Sequence, residues 1–461
     1  MKKISSGIRE LDEIIGGGYY PGYVVLVAGH PGVGKTTFAA NFLYYGVRNN
    51  EPGIYISFAE CREEFYRHMK LIGIEFEEYE KQGVFKFIDA ITFANKRSID
   101  ELIKTIAKTV YAIKAKRVAI DSITALYSVL SKEVMRAFMH STLFTLFKPL
   151  GIVTYLIAEL PLGTEVIGYG HEEFLADVVF KLVAEKEKGL IRRKLIVHKV
   201  REAPTQRYEY EFIITEGGIR IYIPQTLKLG GSYIAEERIS TGIPGLDEIL
   251  EGGLLKGSTV LITGPSGTGK TILLLSIAIN AIRRGLKVVF ESFNEPEKQI
   301  LEALKSLGYT PKNVVKNTFT EGLDADDNLS IKSLTPGTVT SGTLYYEYIK
   351  AMDYYKPDLI IIDGACALEK VCGEEAFFEL VRNMIIYAKR YGSTLIISSV
   401  RNVNSQHIGV IDTLADTIIG LWYEREGDQM ARKITVLKMR GSHPSTKVKE
   451  LVLNGREVRV K

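Results

Sequence analysis

The sequence predicts an α/β protein with two tandem domains, each a mostly parallel sheet flanked by helices and extended by further strands. The first observation is a long internal repeat: "ISSGIRELDEIIGGG" at 4–18 recurs as "ISTGIPGLDEILEGG" at 239–253, and "GHPGVGKT" at 29–36 recurs as "GPSGTGKT" at 264–271. Both pairs share an offset of 235 residues, which indicates duplication of a whole domain. The second observation is that apolar strands alternate with helical stretches, which is typical of βαβ units.

The elements of the first copy follow in chain order. Strands are predicted at 23–29, 54–58, 118–122 and 152–159, and helices at 36–49 and about 132–149. A further helical stretch is expected shortly after residue 60. The last third of each copy is predicted to form a hairpin-like β extension, 192–200 with 208–215 and 431–439 with 447–454.

The second copy is slightly longer than the first. "AIDSITAL" at 119–126 matches "IIDGACAL" at 361–368 with an offset of 242. We place the extra residues in 321–342, a segment rich in Gly, Ser, Thr and Asp that is predicted to be a long surface loop, with a partner-binding loop as the alternative. A linker is predicted at 224–237, and the domains are predicted to span 1–228 and 229–461.

Composition narrows the class of protein. The 461 residues are 46% hydrophobic and 25% charged, which is ordinary for globular domains. A net charge of +4 is too slight over this length to argue for nucleic acid or an anionic membrane as a partner. The three cysteines, Cys61, Cys366 and Cys372, are interpreted as buried free thiols in a reducing cytoplasm. The longest apolar runs fall far short of the roughly 18 residues of a membrane span, so we expect a soluble, cytoplasmic protein.

Two copies of G-x-x-x-x-G-K-[ST] carry the strongest chemical signal. Each follows an apolar strand and precedes a helix, so backbone amides and the helix dipole would surround phosphates while the lysine reaches the β- and γ-phosphates. The candidate phosphate-binding residues are Gly29, His30, Pro31, Gly32, Val33, Gly34, Lys35, Thr36 and Thr37, with Gly264, Pro265, Ser266, Gly267, Thr268, Gly269, Lys270, Thr271 and Ile272 in the second copy. The hydroxyls of Thr36 and Thr271 are candidate Mg²⁺ ligands.

An aspartate ends a later apolar strand in each copy. Asp121 ends "RVAID" and Asp363 ends "LIIID", at the edge of the sheet where α/β proteins bind ligands. Both are candidate Mg²⁺ ligands of the Walker-B type. The alternative is that each caps the helix that follows.

A glutamate recurs at the tip of a third strand. "SFAE" at 57–60 aligns with "SFNE" at 292–295, so Glu60 and Glu295 occupy equivalent positions. A carboxylate there could orient the attacking water beside a phosphate loop, and we expect this role for both. The alternatives are a solvated loop residue or a helix-start charge.

A basic pair recurs on a strand of each β extension. In "HKVRE" and "LKMRG", Lys199 and Arg201, and Lys438 and Arg440, lie two residues apart and share a face of their strand. They are candidate phosphate contacts. The alternative is a solvated basic edge that discourages aggregation.

The lead-in "SSGIRELDEIIGGG", the phosphate loop, "AIDSITAL" and K-x-R, repeated in tandem, resemble the double-domain KaiC family within the RecA-like P-loop ATPases. The resemblance covers almost the whole chain. It implies two RecA-like P-loop NTPase domains, ATP and Mg²⁺ as ligands, and homo-hexameric rings with ATP between neighbouring subunits. It also implies that the K-x-R pair of one subunit reaches the nucleotide of the next.

The sequence departs from this family at two places. KaiC proteins typically carry two adjacent glutamates at the strand tip, whereas here Ala59 precedes Glu60 and Asn294 precedes Glu295. If that first position is the stronger catalytic base, hydrolysis is expected to be slow at both sites. The clock protein phosphorylates itself on a Ser-Thr pair before its D-T-I-I segment, where this chain has Asp412 and Thr413, so only Thr413 offers a hydroxyl.

The resemblance leads to one main hypothesis and two alternatives. The main one is a ring ATPase that turns over slowly at subunit interfaces and is able to autophosphorylate, with nucleotide state controlling assembly or a regulatory protein partner. The first alternative is a nucleotide-switched scaffold without significant turnover. The second is a recombinase-like DNA-binding ATPase, although its expected DNA segments, 159–174 and 400–414, are not rich in Lys or Arg.

Overall fold

The computed structural model divides the chain into two compact units. One comprises Met1–Glu187 with Ile191–Ile223, and the other Lys188–Leu190 with Pro224–Lys461; they are called the first and second domains. The structure describes residues 2–91, 96–160, 175–187, 189–202, 208–223, 237–311, 328–401, 409–442, 445, 447–455 and 457–461. Most of the predicted linker and the predicted boundary between 228 and 229 lie outside these residues. Across the described part of the chain, no helix has the length and apolarity to cross a bilayer.

The first domain is a single sheet with helices on its faces. Its strands are β1 (Val24–Gly29), β2 (Gly53–Ser57), β3 (Phe85–Asp89), β4 (Arg117–Asp121), β5 (Val153–Glu159), β6 (Val178–Glu187), β7 (Leu190–Val200), β8 (Glu209–Thr215) and β9 (Gly218–Ile221). Its helices are α1 (Arg9–Ile14), α2 (Lys35–Arg48), α3 (Arg62–Lys70), α4 (Glu77–Lys81), α5 (Lys96–Ile113), α6 (Ile123–Val129) and α7 (Lys132–Met139), the last continued by a π-helix (His140–Phe147).

The second domain repeats this arrangement. Its strands are β10 (Arg238–Ile239), β11 (Leu254–Leu255), β12 (Thr259–Gly264), β13 (Val288–Ser292), β14 (Leu329–Ser333), β15 (Leu359–Asp363), β16 (Thr394–Val400), β17 (Thr417–Glu426), β18 (Gln429–Met439), β19 (Lys449–Asn454) and β20 (Glu457–Val460). Its helices are α8 (Pro244–Ile249), α9 (Lys270–Arg283), α10 (Glu297–Ser306), α11 (Ser341–Tyr355), α12 (Cys366–Cys372), α13 (Glu374–Tyr391) and α14 (Val410–Leu414).

The two large sheets have the same strand order, which confirms the predicted duplication of an α/β domain. The first runs β3-β2-β4-β5-β1-β6-β7-β8-β9 and the second β14-β13-β15-β16-β12-β17-β18-β19-β20. The strands from β3 through β6 pair in parallel, whereas β7, β8 and β9 pair antiparallel as the predicted extension. The carboxyl ends of the parallel strands therefore share one edge of each sheet.

The central strand β1 shows why the sheet forms. All six of its residues are buried, and they alternate between two apolar layers. Val25 and Val27 join the core that contains α2, whereas Val24, Leu26 and Ala28 join the core on the opposite face. A strand that is buried on both faces has a continuous run of apolar residues. The end of this run determines where the phosphate loop begins.

The segment 321–342 is not one long loop, and in this respect the prediction was wrong. Residues 329–333 form β14, which pairs in parallel with β13, and α11 begins at Ser341. Leu329 and Ile331 are buried in the core at this edge. Apolar residues therefore alternate with polar ones within this segment, as is typical of a strand. Residues 321–327 of the predicted insertion lie outside the described residues.

Two smaller expectations also need correction. The matching strand of the first domain, β3, was absent from the predicted elements, although Phe85 and Phe87 are buried and alternate with the exposed Lys86. The three cysteines are free, as expected, but each is half-buried instead of buried.

The second domain buries a carboxylate within its sheet. Glu291 in β13 is 4% exposed and stands where the first domain has Ile56. Its register partner is Lys332 in β14, whose Nζ donates to Glu347 Oε2 in α11 at 2.9 Å. Burial raises the pKa of Glu291 to about 7, although the nearby Lys332 opposes this shift.

This raised pKa predicts that the second domain loses stability as pH rises. Between about 4.5 and 7 the folded state holds a proton that the unfolded state has released, so the free energy of unfolding falls through this window and stays lower above it. Glu291→Gln removes the titration, and we expect it to raise the free energy of unfolding at pH 8 by about 1–3 kcal/mol.

The measurement is denaturant unfolding followed by the fluorescence of Trp422, the single tryptophan of the chain, which lies in β17. At pH 4, where both states of wild type are protonated, variant and wild type are expected to agree. An unchanged slope of stability against pH in the variant would contradict the assignment.

Candidate functional site

The two phosphate loops have the conformation that their sequences predict. Each loop leads from the central strand into a helix that begins at the motif lysine, and Gly34 and Gly269 before these helices have φ of 110° and 95°. These left-handed angles favour glycine. The amides at the starts of α2 and α9 therefore face the loop, where they can bind an anion.

The motif lysines point into their own loops. Lys35 Nζ donates to His30 O at 2.9 Å, and Lys270 Nζ donates to Gly264 O and Pro265 O at 2.8 Å each. Burial lowers the pKa of both lysines, and nearby carboxylates oppose the shift. Each ammonium group thus lies inside the loop that would surround the phosphates of a bound nucleotide.

A threonine–aspartate pair lies beside each loop. Thr36 Oγ1 donates to Asp121 Oδ2 at 2.8 Å, and Thr271 Oγ1 donates to Asp363 Oδ2 at 2.8 Å. Hydroxyl and carboxylate oxygens suit Mg²⁺, so the pair fits this ion. Within the described ranges no group of three or more His, Cys, Asp or Glu side chains gathers as a metal site.

The alternative interpretation of Asp121 and Asp363 as helix caps is wrong. Ser122 caps α6 by accepting the amide of Ala125, and α12 follows Ala365 without a side-chain cap. Both aspartates are instead buried next to the loop threonine, at 6% and 1% exposure.

The two domains hold these aspartates with different hydroxyl groups. Tyr55 in β2 donates to Asp121 Oδ2 at 2.6 Å, whereas the equivalent residue of β13 is Phe290. In the second domain Ser398 in β16 donates to Asp363 Oδ1 instead. Burial raises the pKa of Asp121, and the bonds from Tyr55 and Thr36 oppose that shift. The sequence analysis missed both hydroxyls because each belongs to a neighbouring strand.

Glu60 and Glu295 lie at equivalent turns after β2 and β13. The amide of Glu60 donates to Ser57 Oγ at 3.1 Å, and that of Glu295 to Ser292 Oγ at 3.0 Å. Burial raises the pKa of both carboxyl groups, and the charge of Asp121 or Asp363 raises it further. Each glutamate is thus close enough to its aspartate to interact electrostatically.

A further carboxylate belongs only to the first site. Glu159 ends β5, and its amide N–H donates to Thr124 Oγ1 at 2.8 Å. Its charge opposes the lowering of the Lys35 pKa by burial. The equivalent position at the end of β16 is Val400. The sequence analysis missed Glu159, although its place at the end of a parallel strand was a signal.

The basic pairs lie at the other end of the sheet. Lys199 Nζ donates to Ala176 O at 2.7 Å and Arg201 Nη1 to Asp177 Oδ1 at 2.8 Å, next to the start of β6. In the second domain Lys438 Nζ donates to Asp412 O at 2.9 Å, and Arg440 Nη2 to Thr413 O at 3.1 Å.

This placement separates the basic pairs from the phosphate loop of their own domain. Asp177 Oδ2 accepts the amide of Val24, the first residue of β1, and the loop begins at Gly29, about 17 Å further along the strand. The strands β7 and β18 have neighbours on both sides, but their pairing with β8 and β19 covers 193–196 and 433–434 and does not extend to the basic pairs. The solvated basic edge therefore stays an alternative prediction. Of the predicted DNA segments, residues 161–174 and 402–408 lie outside the described residues.

Comparison with known proteins finds similarity over almost the whole chain. A family model described as "ATPase: KaiC" matches residues 4–226 and again residues 239–461. The circadian clock oscillator protein KaiC of Prochlorococcus marinus (strain MIT 9313) is 30% identical over all of this chain and 93% of its own length. The proteins of the same name from Parasynechococcus marenigrum and Synechococcus elongatus are 30% and 29% identical, over 90% and 88% of their lengths.

The hydroxyl of Tyr55 leads to a prediction about the first domain alone. Tyr55→Phe removes a hydrogen bond to a buried carboxylate, and we expect the free energy of unfolding of this domain to fall by about 1.5–3 kcal/mol. Unfolding is measured by circular dichroism for the whole chain and by Trp422 fluorescence for the second domain. Ser398→Ala is the matched control, and it should lower the denaturant concentration at the midpoint of the Trp422 fluorescence transition. A shift of that transition by Tyr55→Phe would contradict the prediction.

Proposed function

The chain belongs to the KaiC family of ATPases, and we propose from this premise that it is a cytoplasmic ring protein that binds Mg²⁺–ATP at both phosphate loops and hydrolyses it slowly. Its nucleotide state would control assembly or the binding of a regulatory protein partner. The observation that carries the proposal is the threonine–aspartate pair beside each loop, at 2.8 Å in both domains.

In this proposal each residue type has one role. Thr36 with Asp121, and Thr271 with Asp363, would hold Mg²⁺, which would supply positive charge beside the phosphates. Lys35 and Lys270 bind the β- and γ-phosphates. Glu60 and Glu295 orient the water that attacks the γ-phosphate, and their position after a strand next to the aspartate strand supports this assignment.

The position of the K-x-R pairs supports assembly. Because Lys199 and Arg201 lie at the amino end of the parallel strands, they are too far from the phosphate loop of their own domain to contact a nucleotide there. Any nucleotide that they contact would be bound by a different domain, and the proposal assigns it to a neighbouring copy of the chain. The hexameric ring is proposed by analogy with the family, with one ring of sites served by Arg201 and the other by Arg440.

Slow turnover is proposed from the residues before the catalytic glutamates. Ala59 has no carboxylate and Asn294 has only an amide, so each site relies on one glutamate where the family typically has two. A proton acceptor at the correct distance accounts for a large part of the rate in general base catalysis. If the first of the two glutamates is the stronger base, its loss would lower turnover without removing nucleotide binding.

Autophosphorylation is proposed only at Thr413. This residue lies in α14 and its carbonyl oxygen accepts from Arg440, one of the basic residues that would face a nucleotide of the next subunit. Asp412 next to it has no hydroxyl and binds Arg401 instead. Dual phosphorylation of the kind found in the clock protein is therefore not expected.

A scaffold without significant turnover is the second candidate function, and the same two residues, Ala59 and Asn294, favour it. In that case ATP would act as a structural ligand between subunits. Both candidates require nucleotide at the loops, and they differ in whether it is consumed.

The catalytic proposal predicts the effect of substitutions at each site. Lys35→Ala with Lys270→Ala should abolish Mg²⁺-dependent ATP turnover, and Glu60→Gln or Glu295→Gln should lower the kcat of its own site by about 10²-fold or more with nucleotide still bound. Phosphate release measures turnover, and γ-labelled ATP measures self-labelling, which we expect to depend on Thr413. Equal turnover in wild type and in the double lysine variant would refute the enzymatic proposal.

Assembly is tested separately by sedimentation velocity with ATP, with ADP and without nucleotide. We expect ATP to favour the ring. Arg201→Ala with Arg440→Ala should remove this effect, because the substitutions delete the guanidinium groups that would contact the phosphates bound by the next subunit. Arg283→Ala, at an exposed position at the end of α9, is the matched control. A sedimentation profile that is the same in all three conditions would refute nucleotide-controlled assembly.

A further inference from the structure

One side chain of α3 contacts the glutamate at the first site. His68 Nδ1 lies 3.1 Å from Glu60 Oε2. Since an ionised carboxylate only accepts hydrogen bonds, Nδ1 carries the proton and donates it to Glu60. The contact leaves the other carboxylate oxygen, Oε1, for a water molecule.

The second site lacks this partner. The turn and helix after β13 align with those after β2 without a gap, so Phe65 and Met69 correspond to the equally buried Ile300 and Leu304. In this alignment the position of His68 is Ala303, which carries no hydrogen-bonding group. The two domains therefore have the same glutamate with and without a histidine beside it.

The contact opposes the effect of burial on the carboxyl group. Burial raises the pKa of Glu60, and the charges of Asp121 in β4 and Glu64 in α3 raise it further, whereas the hydrogen bond and charge of His68 lower it. The pKa of Glu295 is raised by burial and by Asp363. A water-orienting glutamate acts as the anion, so the first site gains a partner that favours the active form.

Stability alone does not explain the contact. The side chain of His68 is 52% exposed, and an exposed ion pair adds little to folding. Glu60 is much less exposed, at 20%, so the main consequence of the contact falls on the orientation and charge of Glu60.

We propose that His68 is a positioning residue for Glu60, which fixes one carboxylate oxygen so that the other can orient the attacking water at the first site only. This deepens the proposed function and rests on it. The two nucleotide sites are therefore chemically unequal, and the first retains part of the assistance that a second carboxylate would give.

The test isolates the first site in a Lys270→Ala background. His68→Ala should lower kcat by about tenfold, the rate equivalent of one hydrogen bond to a charged group, with little change in KM. His68→Gln, which keeps an N–H donor, should restore most of that loss. The acid side of the kcat profile should move to higher pH in His68→Ala, because the pKa of Glu60 rises when the bond is lost.

Two controls separate positioning from a structural effect. In a Glu60→Gln background, His68→Ala should cause no further loss, because His68 acts through that carboxylate. In a Lys35→Ala background, where only the second site turns over, His68→Ala should leave kcat unchanged.

Three results would overturn the proposal. One is an unchanged kcat in His68→Ala while Glu60→Gln is slow, which leaves the proposed function intact. Another is an equal loss from His68→Ala with and without the Glu60 carboxylate. The third is full first-site turnover in Glu60→Gln, which overturns the assigned role of Glu60 as well.

Discussion

The hydrogen bond between a loop threonine and a strand aspartate is the interaction on which both candidate sites depend. In each domain it joins the first turn of a helix to the tip of a buried strand, Thr36 to Asp121 and Thr271 to Asp363. A buried carboxylate must be paired, and this pairing places two oxygen ligands beside a loop that attracts phosphate. The parallel sheet serves this arrangement because it brings all its carboxyl ends to one edge.

The two copies keep this bond but support it differently. The first domain orients its aspartate with Tyr55 and adds Glu159 and His68, whereas the second uses Ser398 and has Val400 and Ala303 at the other two positions. Duplication has therefore produced two sites with one geometry and different electrostatic surroundings. The buried Glu291 adds a titrating group inside the sheet of the second domain alone.

The sequence predicted the features that local patterns determine. Each P-loop, Asp121 and Glu60 lie at or just after the carboxyl end of an apolar strand. The predicted direction of these parallel strands was therefore enough to place them at one edge of the sheet. Tyr55 and Ser398 could not be predicted, because their contacts depend on which strands are neighbours and on their register. The sequence analysis missed β14 because its two buried apolar residues, Leu329 and Ile331, lie in a polar segment and form a strand only by pairing with β13. The roles of the site residues stay predictions.

The glycines of the phosphate loop are required for different structural reasons. A Cβ at Gly29 or Gly264 would lie 2.6 or 2.3 Å from a carbonyl oxygen of the adjacent strand, β6 or β17, whereas one at Gly32 would meet no atom within 4 Å. The first glycine is thus demanded by the closeness of two strands, whatever the loop binds. A descendant that had lost its nucleotide would still have to keep Gly29, so the presence of that glycine shows how closely the two strands pack and not that the loop binds phosphate.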